Sequence, residues 1–461
     1  MYSASYRNLS EIVSKQIDLD CSITNLMAMS LPIIFSILSG TLMYMVDRVM
    51  LAHYSFNAMN GAAFAHQAIE IFMLPLLSFA TISEVFVGQL NGSNQFKKSS
   101  DPIIQIAVFL ILIWCLIYPI AMHCRHFFLP ESIWKDGNPY FRVGMVIIPF
   151  QIIFSSIAAF FVGTRRPKMI LYSVLVSNVV NVLLDIVLVF GIGPIPAMGA
   201  QGAALASVIA IIIASGILGL CFVSTYNAEN YDTRHLNVDF GILKKNITIG
   251  APYALSEFIE MSICVTVLIF LEKISMDAVS IQNVGVTIWI FFTFMSEGFQ
   301  KGVIALASNC IGAGKNFLIK RLIRSMLIVT CFFGVCSFIP LVLLSEPLLY
   351  YAFKISEPLL LPDFKLMLLL LWITYLILLP AQSCLGGILS SGGDTKFVTG
   401  VKISSTILCF AAPLCWCYFH SQLTALTSWW LGIFQQIFNG TFFYCRYRKG
   451  QWTHNLMNLQ R

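Results

Sequence analysis

The sequence predicts an all-α polytopic membrane protein with twelve transmembrane helices in two pseudo-symmetric six-helix lobes. Three observations predict this fold. The chain is 58% hydrophobic and 11% charged, whereas soluble proteins average about 25% charged residues. Its apolar runs reach the roughly 20 residues that a helix needs to cross a bilayer. Matching motifs recur 220 residues apart, which indicates an internal duplication.

The apolar runs define the predicted spans. They are long and lack the period-two alternation of a transmembrane β-barrel. The first run is too long for the apolar region of a signal peptide, so we expect no cleavable signal. The predicted spans are residues 24–50, 60–90, 102–124, 139–162, 168–191, 199–223, 247–272, 278–310, 321–345, 361–390, 397–420 and 423–446.

Basic residues give the predicted orientation, because Lys and Arg mark the cytoplasmic side of a membrane protein. They concentrate in the loops after the even-numbered spans and at the end of the chain. We therefore expect both termini in the cytoplasm of a multi-pass plasma-membrane protein, with a bacterial inner membrane favoured. The net charge of +6 is spread through loops, so we expect no nucleic acid partner. We expect a monomer in contact with membrane lipid and a small-molecule substrate.

The repeat sets the predicted domain boundaries. Pro32 and Pro252 lie near the starts of the first and seventh spans, and Gly92 and Gly312 close the second and eighth. Six spans per half is an even number, so both halves share one orientation in the membrane. The predicted boundaries are a cytoplasmic segment 1–22, an N-lobe 23–224, a cytoplasmic linker 225–246, a C-lobe 247–446 and a cytoplasmic tail 447–461.

Polar residues inside apolar spans are the main candidates for a functional site. Asp47 ends the first span, and Asn181 and Asp185 lie four residues apart on one face of the fifth. Asn178 lies on the same face. An ionisable group in a bilayer is costly and usually functional, and two close carboxylates cannot easily both stay ionised. The sequence indicates a site for a proton or a hard cation, with a structural cluster that joins helices as the alternative.

Further charged residues occur in other spans. Glu70 of the second span is a candidate for a cavity lining. Glu297 and Lys301 are four apart in the order that favours an ion pair; the alternative is that they line the cavity. Glu257 is expected to lie near the cytoplasmic end of its helix. Intramembrane basic residues are expected to be few, chiefly Arg48 and Lys301.

These patterns resemble the multidrug and toxic compound extrusion (MATE) transporters, from the first span through the twelfth. Asp47 follows Pro32 by fifteen residues, as in the family. The segment NVVNVLLDIVLVFGIGPIPAMGAQGAALAS is similar to the family's fifth and sixth helices and their connection. The loop LSSGGDTK looks like the family's glycine-rich loop after helix ten.

The resemblance implies an antiporter with a central cavity, which exports organic, cationic or amphipathic compounds while Na⁺ or H⁺ enters, without a cofactor. It implies a cation site, which could hold Na⁺, formed by Asp47, Asn181, Asp185 and Ser207. Ser207 stands where relatives often have Thr. Glu260 matches a second family carboxylate, but the stretch 376–383 lacks the acid that NorM-like members carry. Ion binding at the first site is expected to let the first helix bend at a hinge at Pro32.

The sequence leaves three alternatives open. A flippase for a lipid-linked oligosaccharide belongs to the same wider superfamily, but it predicts a cavity rich in basic residues. An intramembrane enzyme is disfavoured because the sequence contains no HExxH or GxSxG motif. A passive channel is disfavoured because duplicated halves are typical of alternating access.

Overall fold

The structure is a computed structural model that describes residues 17–129, 131–235, 239–353, 360–450 and 452. These residues form helices and connecting turns, without a strand. In the first half the helices are Ile23–Tyr54 (α1), Phe56–Thr81 continued by Ser83–Gly92 (α2), Asp101–Phe128 (α3), Trp134–Gly144 with Ile147–Gly163 (α4), Lys168–Phe190 (α5) and Ala200–Phe222 (α6). Short helical turns connect α2 to α3 (Phe96–Lys98) and α3 to α4 (Glu131–Ile133). A short helix, Thr225–Tyr231, follows α6.

The second half repeats this order. Its helices are Phe240–Glu272 (α7), Met276–Gly312 (α8), Leu318–Phe338 continued by Ile339–Leu343 (α9), Leu361–Leu378 continued by Leu379–Gly386 and Gly387–Ser391 (α10), Thr395–Ser405 continued by Thr406–Ala411 and Ala412–Phe419 (α11) and Thr427–Arg448 (α12). A short helix, Ser345–Phe353, follows α9.

The described helices confirm the polytopic all-α class. Eight of them are long and apolar enough to cross a membrane, and α4 makes a ninth if its two parts, which meet at a 42° bend, form one span. The remaining predicted spans coincide with α7, α8 and α12, which have 33, 37 and 22 residues. Each of these is long enough to cross a bilayer at about 1.5 Å per residue.

Proline widens three helices of the second half. Pro340 and Pro380 are the second residues of the π-helical segments in α9 and α10, and Pro413 follows the π-helical segment of α11. Proline has no N–H to donate and clashes with the carbonyl four residues earlier. A wider turn relieves the clash and lets the helix continue across the membrane.

The chain forms two compact units, and two helices belong to both. Unit 1 contains Phe35–Ala254, and unit 2 contains Asp18–Ile34 and the described part of Leu255–Arg461. Helix α1 therefore passes from unit 2 to unit 1 after Ile34, two residues after Pro32. Helix α7 passes in the opposite sense after Ala254, two residues after Pro252. The two crossing points are 220 residues apart, which matches the spacing of the repeat.

Small residues allow the first part of α1 to pack closely inside unit 2. A Cβ atom placed on Gly298 of α8 would lie 2.2 Å from Ile34 Cγ1, and one on Gly302 would lie 2.1 Å from Ser30 Oγ. Both contacts are too short for a real side chain. Glycines four residues apart are a known means of bringing two membrane helices together.

Unit 1 contains the corresponding contact. A Cβ atom on Gly250 of α7 would lie 2.0 Å from the ring of Phe79 on α2. The first part of α7 thus packs on α2, as the first part of α1 packs on α8. Helices α1 and α7 are counterparts in the repeat. Each packs, through a glycine contact, on the helix that follows the other: α1 on α8, and α7 on α2.

We expect Gly298→Ala to destabilise the protein by about 1–3 kcal/mol, because the added methyl group overlaps Ile34 and overpacking costs about that much. The control is Gly400→Ala on α11, where a Cβ atom meets no atom within 4 Å. There alanine should be neutral or stabilise by up to about 1 kcal/mol. Thermal unfolding midpoints of the purified variants measure both. Equal midpoints would contradict the close packing of α1 on α8.

Candidate functional site

The residues predicted for a cation site come together in unit 1. Helix α1 contributes Asp47, α5 contributes Asn181 and Asp185, and α6 contributes Ser207. Asn181 and Asp185 have no exposed surface, Asp47 is 5% exposed, and Ser207 is partly exposed. The spacing of four residues on α5 turns both of its polar side chains to the same face. Four side chains from three helices therefore meet in the apolar interior of unit 1.

Hydrogen bonds join this cluster. Oriented with its nitrogen towards the carboxyl groups, the Asn181 amide donates to Asp47 Oδ1 at 2.9 Å and to Asp185 Oδ2 at 3.1 Å. The Ser207 hydroxyl donates to Asp47 Oδ2 at 3.3 Å. The Asp47 and Asp185 carboxyl groups also interact electrostatically. Two carboxyl groups close together in an apolar interior do not easily both stay ionised.

One acceptor at this site has no partner. Asp185 Oδ1 is buried and makes no hydrogen bond within the described part of the chain. A buried, unpaired acceptor is costly, and a bound cation would satisfy it. No group of three or more His, Cys, Asp and Glu side chains in the described ranges could hold a metal ion. A cation at this site would therefore also need oxygens from Asn181 or Ser207.

Asn178 lies beside the cluster and has a different set of contacts. Its amide nitrogen donates to the backbone oxygen of Ser39 at 2.9 Å and to the Ser39 hydroxyl at 2.6 Å. Ser39 is on α1, eight residues before Asp47. Asn178 thus fixes α5 against α1 and makes a matched control for Asn181.

A second group of polar side chains lies near Asp47 on α1 and α2. Arg48 donates to the Tyr44 hydroxyl and lies over the Tyr44 ring, 4.4 Å from its centre. The Tyr44 ring stacks on His66 with centres 4.3 Å apart. His66 Nε2 lies 3.3 Å from Glu70 Oε1. Glu70 therefore pairs with His66, and Arg48 is engaged with Tyr44.

Unit 2 contains an ion pair that the sequence reasoning missed. Lys402 of α11 is only 2% exposed, and its Nζ lies 3.6 Å from Glu257 Oε1 on α7. Glu260, one turn along α7, interacts electrostatically with both Glu257 and Lys402. Glu257, which we expected near the cytoplasmic end of the helix, is thus the partner of a buried cation. A lone lysine in the run FVTGVKISSTILCF was the available signal.

Glu297 and Lys301 lie on α8 in the same unit. Glu297 is exposed, Lys301 is partly exposed, and the two interact electrostatically. Within the described ranges their charged atoms do not come within 4.0 Å of each other. Glu297 also interacts electrostatically with Glu257 and Lys402. The charges of α7, α8 and α11 in unit 2 therefore form one cluster.

The glycine-rich loop after α10 is held by a charge-assisted contact with α12. Gly393 has a φ of +81°, which favours glycine. The next residue, Asp394, accepts hydrogen bonds from Arg446 Nε at 2.6 Å and Nη2 at 3.3 Å. These contacts give the LSSGGDTK motif a role in the packing of the helix ends.

Comparison with known proteins identifies the family. A family model described as MatE matches residues 32–187 and 252–416, two segments that begin at Pro32 and Pro252. The probable multidrug resistance protein NorM of Thermotoga maritima is 23% identical over 421 residues, which are 88% of each chain.

Solved structures share the fold. The eukaryotic MATE transporter AtDTX14 is 16% identical and superposes with a TM-score of 0.77 over 94% of this chain and 97% of its own. The Vibrio cholerae MATE transporter VcmN in the bent form is 15% identical, with a TM-score of 0.75 over 98% of both chains. The fold is thus that of a two-lobed membrane transporter.

The family match covers more than half of the chain, so the chain belongs to the MATE family. Family members are transporters, which overturns the alternative of an intramembrane enzyme. The family and the apolar helices together make this a multi-pass membrane protein of the multidrug-transporter type. The matched segments also begin 220 residues apart, as the internal repeat does.

We expect Asn181→Ala to reduce transport by about tenfold to a hundredfold, since it removes a donor shared by two carboxyl groups, and hydrogen bonds to charged groups contribute about 1.5–3 kcal/mol. Asn178→Ala, with its contact to Ser39 only, should retain more activity. Initial rates of dye efflux, normalised to folded protein in the membrane, measure the difference. A larger loss for Asn178→Ala would show that contact with Asp47 is not what matters.

Proposed function

We propose that this protein is a cation-coupled antiporter that exports organic cationic or amphipathic compounds by alternating access. The observation that carries the proposal is the Asn181 amide between Asp47 and Asp185 in the apolar interior of unit 1. In low dielectric, two neighbouring carboxyl groups do not easily both stay ionised. The pair therefore binds a proton or a cation readily. A site of this kind gives an ion gradient a means of changing the charge inside the membrane.

We propose H⁺ rather than Na⁺ as the coupling ion. With the Asn181 nitrogen towards the carboxyl groups, Asn181 and Ser207 both donate hydrogen bonds to Asp47. Na⁺ requires oxygens as ligands, and the Asn181 amide would have to turn over to supply one. A proton shared by Asp47 and Asp185 needs no such change.

Conformational coupling is proposed to run along α1. Asp47 lies fifteen residues after Pro32, in the part of α1 that belongs to unit 1, whereas Pro32 lies in the part that belongs to unit 2. The missing N–H at proline lowers the cost of bending the helix there. A change of charge at Asp47 alters how strongly this part of α1 is held by α5 and α6, so Pro32 serves as the hinge.

The same proposal includes the orientation and the environment. The lobes are 23–224 and 247–446, the linker 225–246 and both termini (1–22 and 447–461) are cytoplasmic, and the membrane is a bacterial inner membrane. The transporter acts as a monomer among lipids, with a small organic molecule and the ion as its substrates and no cofactor.

The flippase alternative is weaker because it needs free positive charge for a pyrophosphate. Lys402 is paired with Glu257, and Lys301 interacts electrostatically with Glu297. Arg48 is held by the hydroxyl and ring of Tyr44, which is a neutral partner. The two lysines of unit 2 therefore have carboxylate partners, which leaves little free positive charge there for a pyrophosphate.

Ethidium efflux from cells that express the wild type or Asp47→Asn, under an imposed H⁺ or Na⁺ gradient, tests the proposal. We expect efflux driven by the H⁺ gradient in the wild type and its loss in Asp47→Asn, because an amide cannot take up the coupling proton. Efflux driven by Na⁺ alone would refute proton coupling.

Matched controls separate coupling from folding. Asp185→Asn should lose gradient-driven efflux as Asp47→Asn does, and both variants should elute as folded monomers in size-exclusion chromatography. Efflux that survives in both variants would show that the unit 1 cluster has only a structural role.

A further inference from the structure

Five ionisable side chains of unit 2 form one group on α7, α8 and α11. Three are acidic (Glu257, Glu260 and Glu297) and two are basic (Lys301 and Lys402). Glu257, Glu297 and Lys402 interact with one another electrostatically, and Glu260 interacts with Glu257 and Lys402. We refer to these five residues as the unit 2 charge cluster. With every member ionised, its net charge is −1.

Helices α7 and α11 bring the central pair of this cluster together because they pack side by side in the same direction. Glu257 meets Lys402 at 3.6 Å, and thirteen residues further along α7 the Phe270 ring stacks on Tyr418 of α11 at 4.1 Å. Val267, Leu271 and Leu414 belong to an apolar core that packs against Phe270 and Tyr418. The pairing of Glu257 with Lys402 thus follows from an extended helix–helix contact.

Lys402 cannot leave this pair without a large cost. It is 2% exposed, whereas the Glu257 side chain is 28% exposed. Removing one partner of a buried pair leaves an uncompensated charge in low dielectric. The Lys402 ammonium is therefore a fixed positive charge next to two carboxylates.

Four members of the cluster are accessible. Glu297 is exposed, and Glu257, Glu260 and Lys301 are partly exposed, while Lys402 is covered. Charged side chains in a membrane helix face protein or a water-filled cavity rather than lipid. A ligand that reaches the cluster through such a cavity therefore meets a net negative charge. The covered Lys402 lowers the size of that charge by one unit.

We propose that the unit 2 charge cluster binds the cationic group of the exported compound, and that Lys402 sets the selectivity for a single positive charge. The inference rests on the proposed export of organic cations and adds a selectivity rule to it. One net negative charge matches a monocation. A dication would leave an excess positive charge in low dielectric, where charge interactions are strong.

Four forms of the protein differ stepwise in the net charge of this cluster or serve as its control. Glu257→Gln brings it to 0, the wild type has −1, the double variant Glu257→Gln/Lys402→Gln also has −1, and Lys402→Gln has −2. The double variant is the matched control, because it replaces both residues and keeps the wild-type charge. Replacing both partners of a buried pair is also better tolerated than replacing one.

The measurement is the binding of ethidium, a monocation, and propidium, a dication with the same ring system, to purified protein in nanodiscs, followed by fluorescence anisotropy. We expect the wild type and the double variant to prefer ethidium. Lys402→Gln should shift the ratio of dissociation constants towards propidium by about tenfold, which corresponds to about 1.4 kcal/mol. Glu257→Gln should weaken the binding of ethidium.

Binding separates this inference from the proposed antiport. Asp47→Asn, which should abolish gradient-driven efflux, should leave the ratio of ethidium to propidium affinity unchanged. If gradient-driven efflux failed while the ratio of ethidium to propidium affinity still followed the net charge of the cluster, only the proposed antiport would be refuted. An unchanged ratio in Lys402→Gln, a double variant that behaves like Lys402→Gln, or no binding by the wild type would overturn the proposal.

Discussion

The absence of water in a bilayer is the constraint on which this structure depends. A buried charge or polar group must find its partner inside the protein. In unit 1 this requirement brings Asn181 between two carboxyl groups from different helices. In unit 2 it brings Lys402 of α11 to Glu257 of α7. Both clusters join helices that are distant in sequence, so each contributes to packing as well as to the proposed transport.

The duplication explains why the two units are built alike and yet differ in chemistry. Each half of the repeat begins with a helix that carries a proline and passes into the other unit two residues after it. A glycine contact fixes the first part of each of these helices. The polar centres of the two units differ: the unit 1 site is two carboxyls with hydrogen-bond donors, and the unit 2 cluster includes two lysines. A shared frame with unlike centres fits the proposal that one unit takes up the coupling ion and the other binds the exported compound.

Much of this arrangement could be predicted from residues close in sequence. The apolar length of each span gave the helices, and Asn181 and Asp185 were recognisable because four residues bring side chains to one face of a helix. The partner of Lys402 lies 145 residues earlier in the chain, and one lysine in an apolar run carries no sign of it. Likewise, the spacing of Glu297 and Lys301 predicts that these two interact, but it gives no sign that Glu257 of α7 and Lys402 of α11 also act on Glu297.

The most direct test of the central claim is proton release when a cation binds to the purified protein. Ethidium added to weakly buffered wild-type protein should release a proton, because an antiporter that binds the exported cation gives up the coupling proton of the Asp47–Asp185 pair. Asp185→Asn should bind ethidium without this release. Binding without release by the wild type, or equal release by Asp185→Asn, would contradict the account.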